Sequence, residues 1–176
     1  MTLSREGSFT FVVGGARSGK SSFAMRLGES MGSPRLYIAT AEPLDAEMEE
    51  RIRRHREERS GRWETVEERR DVAAGVERAA GYSVVLIDCL TLWLTNLLMD
   101  GLDDLAVVEE AEGLVEAIRG AGANVVAVSN EVGLGIVPPD PISRRFRDLS
   151  GTMNQMLSAA ATEAYFVASG MPLKLK

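Results

Sequence analysis

The chain has 176 residues, 45% of them hydrophobic and 26% charged, with a formal net charge of −6. That length suits one domain with a full core and is short for two, and the acidic balance argues against a general nucleic-acid binder, which needs basic surface to neutralise phosphates. A single cysteine, Cys89, excludes an internal disulfide and a cysteine-based zinc cluster and fits a reducing cytoplasm, while the absence of any apolar run of about 18 residues excludes a membrane-spanning helix.

Residues 1–7 read as a disordered or extended lead-in, and no repeat or linker divides residues 8–176 into more than a single domain. Ser8 to Val13 is apolar and β-branched, as a buried strand requires. It runs into Gly14-Gly15-Ala16-Arg17-Ser18-Gly19-Lys20-Ser21, which fits the phosphate-loop pattern G-x-x-x-x-G-K-[ST]. A helix follows, with Phe23, Ala24 and Leu27 at helical spacing. Strand, loop and helix in that order let Gly14 and Gly19 turn backbone N–H groups toward an anion at the positive end of the helix dipole. Lys20 then reaches the β- and γ-phosphates of a nucleoside triphosphate, and the Ser21 hydroxyl is placed to ligate Mg2+.

Arg35 to Thr40 reads as a second, parallel strand whose end, Ala39-Thr40-Ala41, falls on the same sheet edge as the loop. Asp45 to Arg59 is a charged helix, with Glu47/Arg51, Glu49/Arg53 and Glu50/Arg54 spaced as i,i+4 ion pairs. Met48, Ile52, His55 and Arg59 share its inward stripe, and His55 is the only histidine of the chain. Arg51 and Arg59, one turn to either side, could hold a phosphate chain beside it, as a histidine that attacks phosphorus needs. A solvated, ion-paired helix with an incidental histidine would show the same pattern.

Trp63 anchors a short extended segment over 62–67, and Asp71 to Ala80 reads as a helix with Val72, Val76 and Ala79 inward. Tyr82 to Asp88 is a continuous apolar run closing on a carboxylate, the pattern of a central parallel strand. In phosphate-loop proteins a carboxylate there holds Mg2+ directly or through water. Cys89 to Met99 is a helix apolar round much of its circumference, which suggests that part of it faces another subunit. An acidic amphipathic helix (103–119) and a strand (124–129) lead to a Gly- and Pro-rich loop (130–139) at the ligand edge, read as a substrate-facing lid. Arg144, Arg145 and Arg147 open the last helix as a possible anion clamp, and 164–169 with 173–175 form a hairpin, hence an antiparallel edge strand.

Taken together, the phosphate loop, Tyr37-Ile38-Ala39-Thr40-Ala41, the His55 helix, Asn130-Glu131-Val132-Gly133 with Gly135 and Val137-Pro138, and Phe146-Arg147-Asp148 with Gly151 and Asn154-Gln155 resemble one family. It is the bifunctional adenosylcobinamide kinase/adenosylcobinamide-phosphate guanylyltransferase of cobalamin biosynthesis. The resemblance implies an α/β fold of the RecA-like P-loop NTPase kind, a mostly parallel sheet flanked by helices, assembled as a cytoplasmic homotrimer. It implies two reactions: phosphorylation of adenosylcobinamide by ATP or GTP, then transfer of GMP from GTP to adenosylcobinamide phosphate through a guanylylated histidine. By this matching His55 is that histidine, Lys20 and Asp88 share the catalysis, and Ser21 and Asp88 hold Mg2+. Ala39, Thr40, Ala41, Arg56, Glu57, Glu58, Arg59, Glu67 and Asp88 join Gly14, Gly15, Ala16, Arg17, Ser18, Gly19, Lys20 and Ser21 as nucleotide contacts. Many relatives carry two adjacent histidines where this chain has Arg54-His55. A kinase without guanylyl transfer and a nucleotide-dependent switch stay open as alternatives, and Asp88 and Glu131 both stay open as the base of the kinase step.

Overall fold

The computed structural model describes residues 7–43, 46–59 and 61–176, with the side chains of Glu47, Met48, Arg51 and Glu58 outside that description. Residues 1–6 of the expected lead-in, Asp45 at the start of the charged helix, the Glu47/Arg51 pair and the Glu58 contact therefore lie outside the described residues. In chain order the elements are β1 (Phe9–Gly14), α1 (Lys20–Ser30), β2 (Arg35–Ala39), α2 (Ala46–Arg59), β3 (Glu64–Glu67), α3 (Val72–Glu77) and β4 (Val84–Asp88). They continue as α4 (Leu90–Met99), α5 (Asp104–Gly120), β5 (Asn124–Asn130), α6 (Pro141–Ala160), β6 (Glu163–Ala168) and β7 (Met171–Lys174).

The strands form one seven-stranded sheet in the order β3-β2-β4-β5-β1-β6-β7. Every neighbouring pair is parallel except β6 with β7, as the C-terminal hairpin predicts. Ser169 and Gly170 turn that hairpin with positive φ of 50° and 81°, the backbone that a tight two-residue turn requires. Alternate residues of each strand feed two cores. Phe9, Phe11 and Val13 of β1 join Val85 and Ile87 of β4 against α3, α4, α5 and α6. Val12, Tyr37, Leu86 and Val128 face the other way with Ala24 of α1 and Trp63. Burial on both faces is why these strands read as unbroken apolar runs rather than alternating ones.

Register places the site. Gly14 pairs with Asn130 and Val167, and Asp88 pairs with Ala39 and Val128, so the carboxyl ends of β1, β2, β4 and β5 lie along one edge. One strand, β5, separates the phosphate-loop strand from the Asp88 strand.

Three expectations need correcting. α4 does not turn an apolar face outward: Leu90, Trp93, Leu94 and Leu97 are all buried within the chain itself, and only Met99 at its end is exposed. Thr91 and Asn96 are buried too, Asn96 donating to the carbonyls of Thr40 and Arg69. The third helix is shorter than its apolar stripe, ending at Glu77, because the chain then turns through Gly81 at φ 94°. The Arg144-Arg145-Arg147 cluster is no clamp, since each guanidinium is spent locally: Arg144 on the carbonyls of Pro138 and Pro139, Arg145 on Asp104 and the Leu102 carbonyl, Arg147 on Asp148.

Candidate active site

The loop between β1 and α1 takes positive φ at Gly19, as expected, but not at Gly14, where close packing rather than backbone conformation requires glycine. Gly19, at φ 88°, sits directly before the first turn of α1, and Arg17 also takes positive φ, at 55°. A β-carbon on Gly14 would collide with the Val167 carbonyl and the Ser18 hydroxyl, so this position has room only for glycine. The Lys20 ammonium folds back over the loop and donates to the Gly15 carbonyl at 3.0 Å. The hairpin at the end of the chain braces the loop from outside, Gly170 N–H donating to the Ser18 carbonyl at 2.7 Å. The Ser18 hydroxyl is buried without a hydrogen-bond partner, a polar group facing a loop built for an anion.

Two cavities meet at this loop. A cleft of about 490 Å3 is lined by Arg17 to Ser22 together with Glu50, Arg54 and His55 of α2. A narrower pocket of about 60 Å3 is lined by Ser21, Ala39, Ala41, His55, Arg59, Glu67 and Asp88, and floored by Tyr37 and Cys89. Ser21 and His55 line both. The phosphate loop, the Asp88 carboxylate and the single histidine are thus brought to one place from three segments of sequence.

The inward stripe of α2 is as periodicity predicts: Ile52 and His55 are half-buried and Arg59 is 4% exposed. The outer face is ion-paired, but in a different pattern. Arg53 holds Glu50 at 2.6 Å and Glu57 at 2.5 Å instead of Glu49, and Arg54 approaches Glu50 at 3.9 Å. Arg56 pairs with Glu67 across the mouth of the smaller pocket. Glu57 is turned outward to Arg53. Arg59 lies under the helix with its guanidinium 3.7 Å above the Tyr37 ring, and its Nε is buried without a partner. A buried guanidinium is costly unless an anion reaches it.

Asp88 is held from below. Tyr37 donates its hydroxyl to Asp88 Oδ2 at 2.7 Å, and burial, then the Asp88 charge, push that hydroxyl well above its ordinary range, so it stays a donor. Thr40 lies beneath the pocket wall rather than in it: its hydroxyl donates to the Cys89 carbonyl at 2.7 Å and accepts from the Cys89 N–H at 2.8 Å, locking β2 to β4. Burial, then Asp88, push the Cys89 thiol up to about 11. At the end of β5, Asn154 of α6 accepts from Ser129 at 2.6 Å and donates to the Asn130 carbonyl at 3.1 Å. Glu131 accepts from the Gly133 N–H at 2.6 Å, starting the exposed loop that carries Leu134 and Ile136.

Comparison with known proteins identifies the family. Residues 10–175 match the family model described as cobinamide kinase / cobinamide phosphate guanyltransferase. The chain belongs to that family. A curated relative from Pseudomonas aeruginosa, bifunctional adenosylcobalamin biosynthesis protein CobP, is 43% identical over 94% of this chain and 95% of its own length. Bifunctional adenosylcobalamin biosynthesis protein CobU of Escherichia coli strain K12 is 43% identical over 94% of this chain and 98% of its own. Among solved structures, the RadB recombinase (TM-score 0.52, 16% identity, 92% of this chain and 74% of that one) shares the fold. So does the KaiC-like protein PH0186 of Pyrococcus horikoshii (TM-score 0.53, 14% identity, 92% and 71%). The cobinamide kinase / guanyltransferase chain thus has the RecA-like P-loop architecture, and among its described residues no helix is long and apolar enough to cross a membrane.

Three parts of the site were not singled out from the sequence of this family member. Tyr37 under Asp88, Asn96 under Thr40, and the Ser129–Asn154 pair all act across distances of 25 or more positions in the chain. Only the Tyr-Ile-Ala-Thr and Asn154-Gln155 matches pointed at these segments, and neither match says what the side chains touch.

Proposed function

We propose that the chain phosphorylates adenosylcobinamide with ATP or GTP and then transfers GMP from GTP to the product, giving adenosylcobinamide-GDP. The observation that carries this reading is the shared cleft: Ser21 and His55 line both cavities, so a nucleotide on the loop lies alongside the only histidine. The family description, cobinamide kinase / cobinamide phosphate guanyltransferase, supports the same pair of activities, and the curated relatives are named as bifunctional proteins of adenosylcobalamin biosynthesis.

In the first reaction the acceptor hydroxyl gives its proton to Asp88 or Glu131, the two carboxylates open as base, as its oxygen attacks the γ-phosphorus; the bond to the β-phosphate oxygen breaks and the nucleoside diphosphate leaves. Gly14 to Ser21 cradle the phosphates with backbone N–H groups, and Lys20 exchanges its Gly15 carbonyl for phosphate oxygen. In the second reaction a His55 ring nitrogen attacks the α-phosphorus of GTP and pyrophosphate leaves. The phosphate oxygen of adenosylcobinamide phosphate then attacks that phosphorus, the P–N bond breaks, and His55 recovers its lone pair. Arg59, buried beside His55 with a free Nε, offers charge to a phosphate entering the narrow pocket. Ala39, Ala41, Arg56 and Glu67 form the pocket's outer wall and rim.

Ser21 and Asp88 face one pocket and offer hard oxygen donors, as Mg2+ prefers. Held by the Ser21 hydroxyl and the Asp88 carboxylate, Mg2+ would supply positive charge against the negative charge that develops during phosphoryl transfer. The same proposal has the chain act in the cytoplasm on small molecules rather than nucleic acid, and assemble as a homotrimer whose contacts would use the exposed apolar residues Leu134, Ile136, Ile142, Met171 and Leu173.

The two reactions should separate genetically. With adenosylcobinamide, GTP and Mg2+, His55→Ala is expected to accumulate adenosylcobinamide phosphate and form no adenosylcobinamide-GDP, read by chromatography of the corrinoids. Lys20→Ala is expected to lose both products. Formation of the GDP product by His55→Ala would rule out the covalent route.

A further inference from the structure

Tyr37 occupies the middle of β2, is 2% exposed, and meets two parts of the site at once. Its hydroxyl donates to Asp88 Oδ2 at 2.7 Å, and its ring carries the Arg59 guanidinium 3.7 Å above its centroid. Trp63 packs against it edge-on at 6.2 Å, and Trp63 is itself tied to Glu29 of α1 at 3.2 Å, which leaves the ring no room to swing. α2 otherwise shows the site mostly exposed ion pairs, Arg53 with Glu50 and Glu57 and Arg56 with Glu67. Exposed pairs fix a helix weakly, whereas a desolvated cation over an aromatic face holds more strongly.

Resting on the nucleotide reading above, we propose that Tyr37 is a positioning residue that keys the two reactions to each other: its hydroxyl fixes the Asp88 carboxylate, and its ring fixes the last turn of the helix that carries His55. The hydroxyl and the ring have separable consequences. Losing the hydroxyl frees the Asp88 carboxylate to rotate and leaves Arg59 on its platform. Losing the ring also removes the platform, so Arg59 and the end of α2 are no longer held where a phosphate enters.

The test is binding of α,β-methylene GTP, whose α-phosphorus cannot be transferred, to wild type, Tyr37→Phe and Tyr37→Leu, each in Mg2+ and in EDTA. Tyr37→Phe is expected to bind like wild type in EDTA and about tenfold more weakly in Mg2+, the size of one hydrogen bond to a charged group. Tyr37→Leu is expected to bind about tenfold more weakly in EDTA, from loss of the cation–ring contact, and about a hundredfold more weakly in Mg2+, where the lost hydroxyl adds its own tenfold. A merely structural tyrosine would weaken Tyr37→Phe equally with and without Mg2+, or not at all, and either result overturns the proposal. If Tyr37→Leu does not fold by circular dichroism, the Tyr37→Phe comparison alone decides. Wild type that fails to bind the analogue in both conditions overturns the nucleotide reading and this proposal with it, whereas binding by wild type without the Tyr37→Phe difference overturns only this one.

Discussion

Lys20 is 8% exposed, although lysine is among the side chains least readily buried. It lies over the phosphate loop, donating to the Gly15 carbonyl at 3.0 Å, where the proposed reading has it meet the phosphates of the nucleotide. Lys20→Ala is therefore expected to weaken GTP binding by tenfold or more in titration calorimetry, with unchanged affinity as the contrary result. Cys89 behaves in the opposite way, buried and kept protonated. Between its ordinary value of 9.0 and about 11 the folded chain retains a proton that the unfolded chain has lost. That contribution is complete below pH about 9 and is lost as the pH rises toward 11, up to about 3 kcal/mol. Guanidinium midpoints should therefore fall between pH 8 and pH 10.5, and native Cys89 should resist iodoacetamide at pH 8 while reacting in denaturant. A fast native reaction would show that the thiol is accessible. The loop residues were legible because a cradle for phosphate is local, its spacing set by backbone geometry. Tyr37 was not, since its partner lies 51 residues away and only the pairing of β2 with β4 brings them together.

At the scale of elements, periodicity was the readable signal. Asp140 begins α6, its carboxylate accepting from the Ser143 N–H at 2.7 Å with Pro141 at the first helical position. Asp140→Ala should cost about 1 kcal/mol, or about 2–4 °C in the melting temperature, measured by calorimetry, and an unchanged melting temperature would mean that this cap adds nothing. The α2 stripe was legible for the same reason, a 3.6-residue period that sets Ile52, His55 and Arg59 on one side. Its ion pairs were less so, because i,i+3 and i,i+4 partners compete and Arg53 had three carboxylates within reach. α4 was misread because an all-round apolar helix is produced equally by a subunit interface and by burial between sheet and neighbouring helices. Nothing in the helix itself distinguishes the two, and in this chain α3, α5 and α6 belong to the same core as α4.

For the whole molecule, the parallel sheet and its antiparallel edge followed from alternation of strands and helices with a final hairpin, whereas strand order did not, because crossovers leave no local trace in composition. That order puts β5 between β1 and β4 and opens the edge where loop, carboxylate and histidine converge. Assembly is a separate matter, and light scattering should give three times the chain mass of 19.1 kDa, a monomeric mass being the contrary result. The central claim is that one cleft serves attack on two phosphorus atoms of GTP. Its most direct test is incubation of the protein with GTP labelled at either the α- or the γ-phosphate, followed by denaturation and counting of protein-bound label. The account predicts acid-labile, alkali-stable label from α-labelled GTP alone, absent in His55→Ala; no α-label on wild type, or full label on His55→Ala, would contradict it.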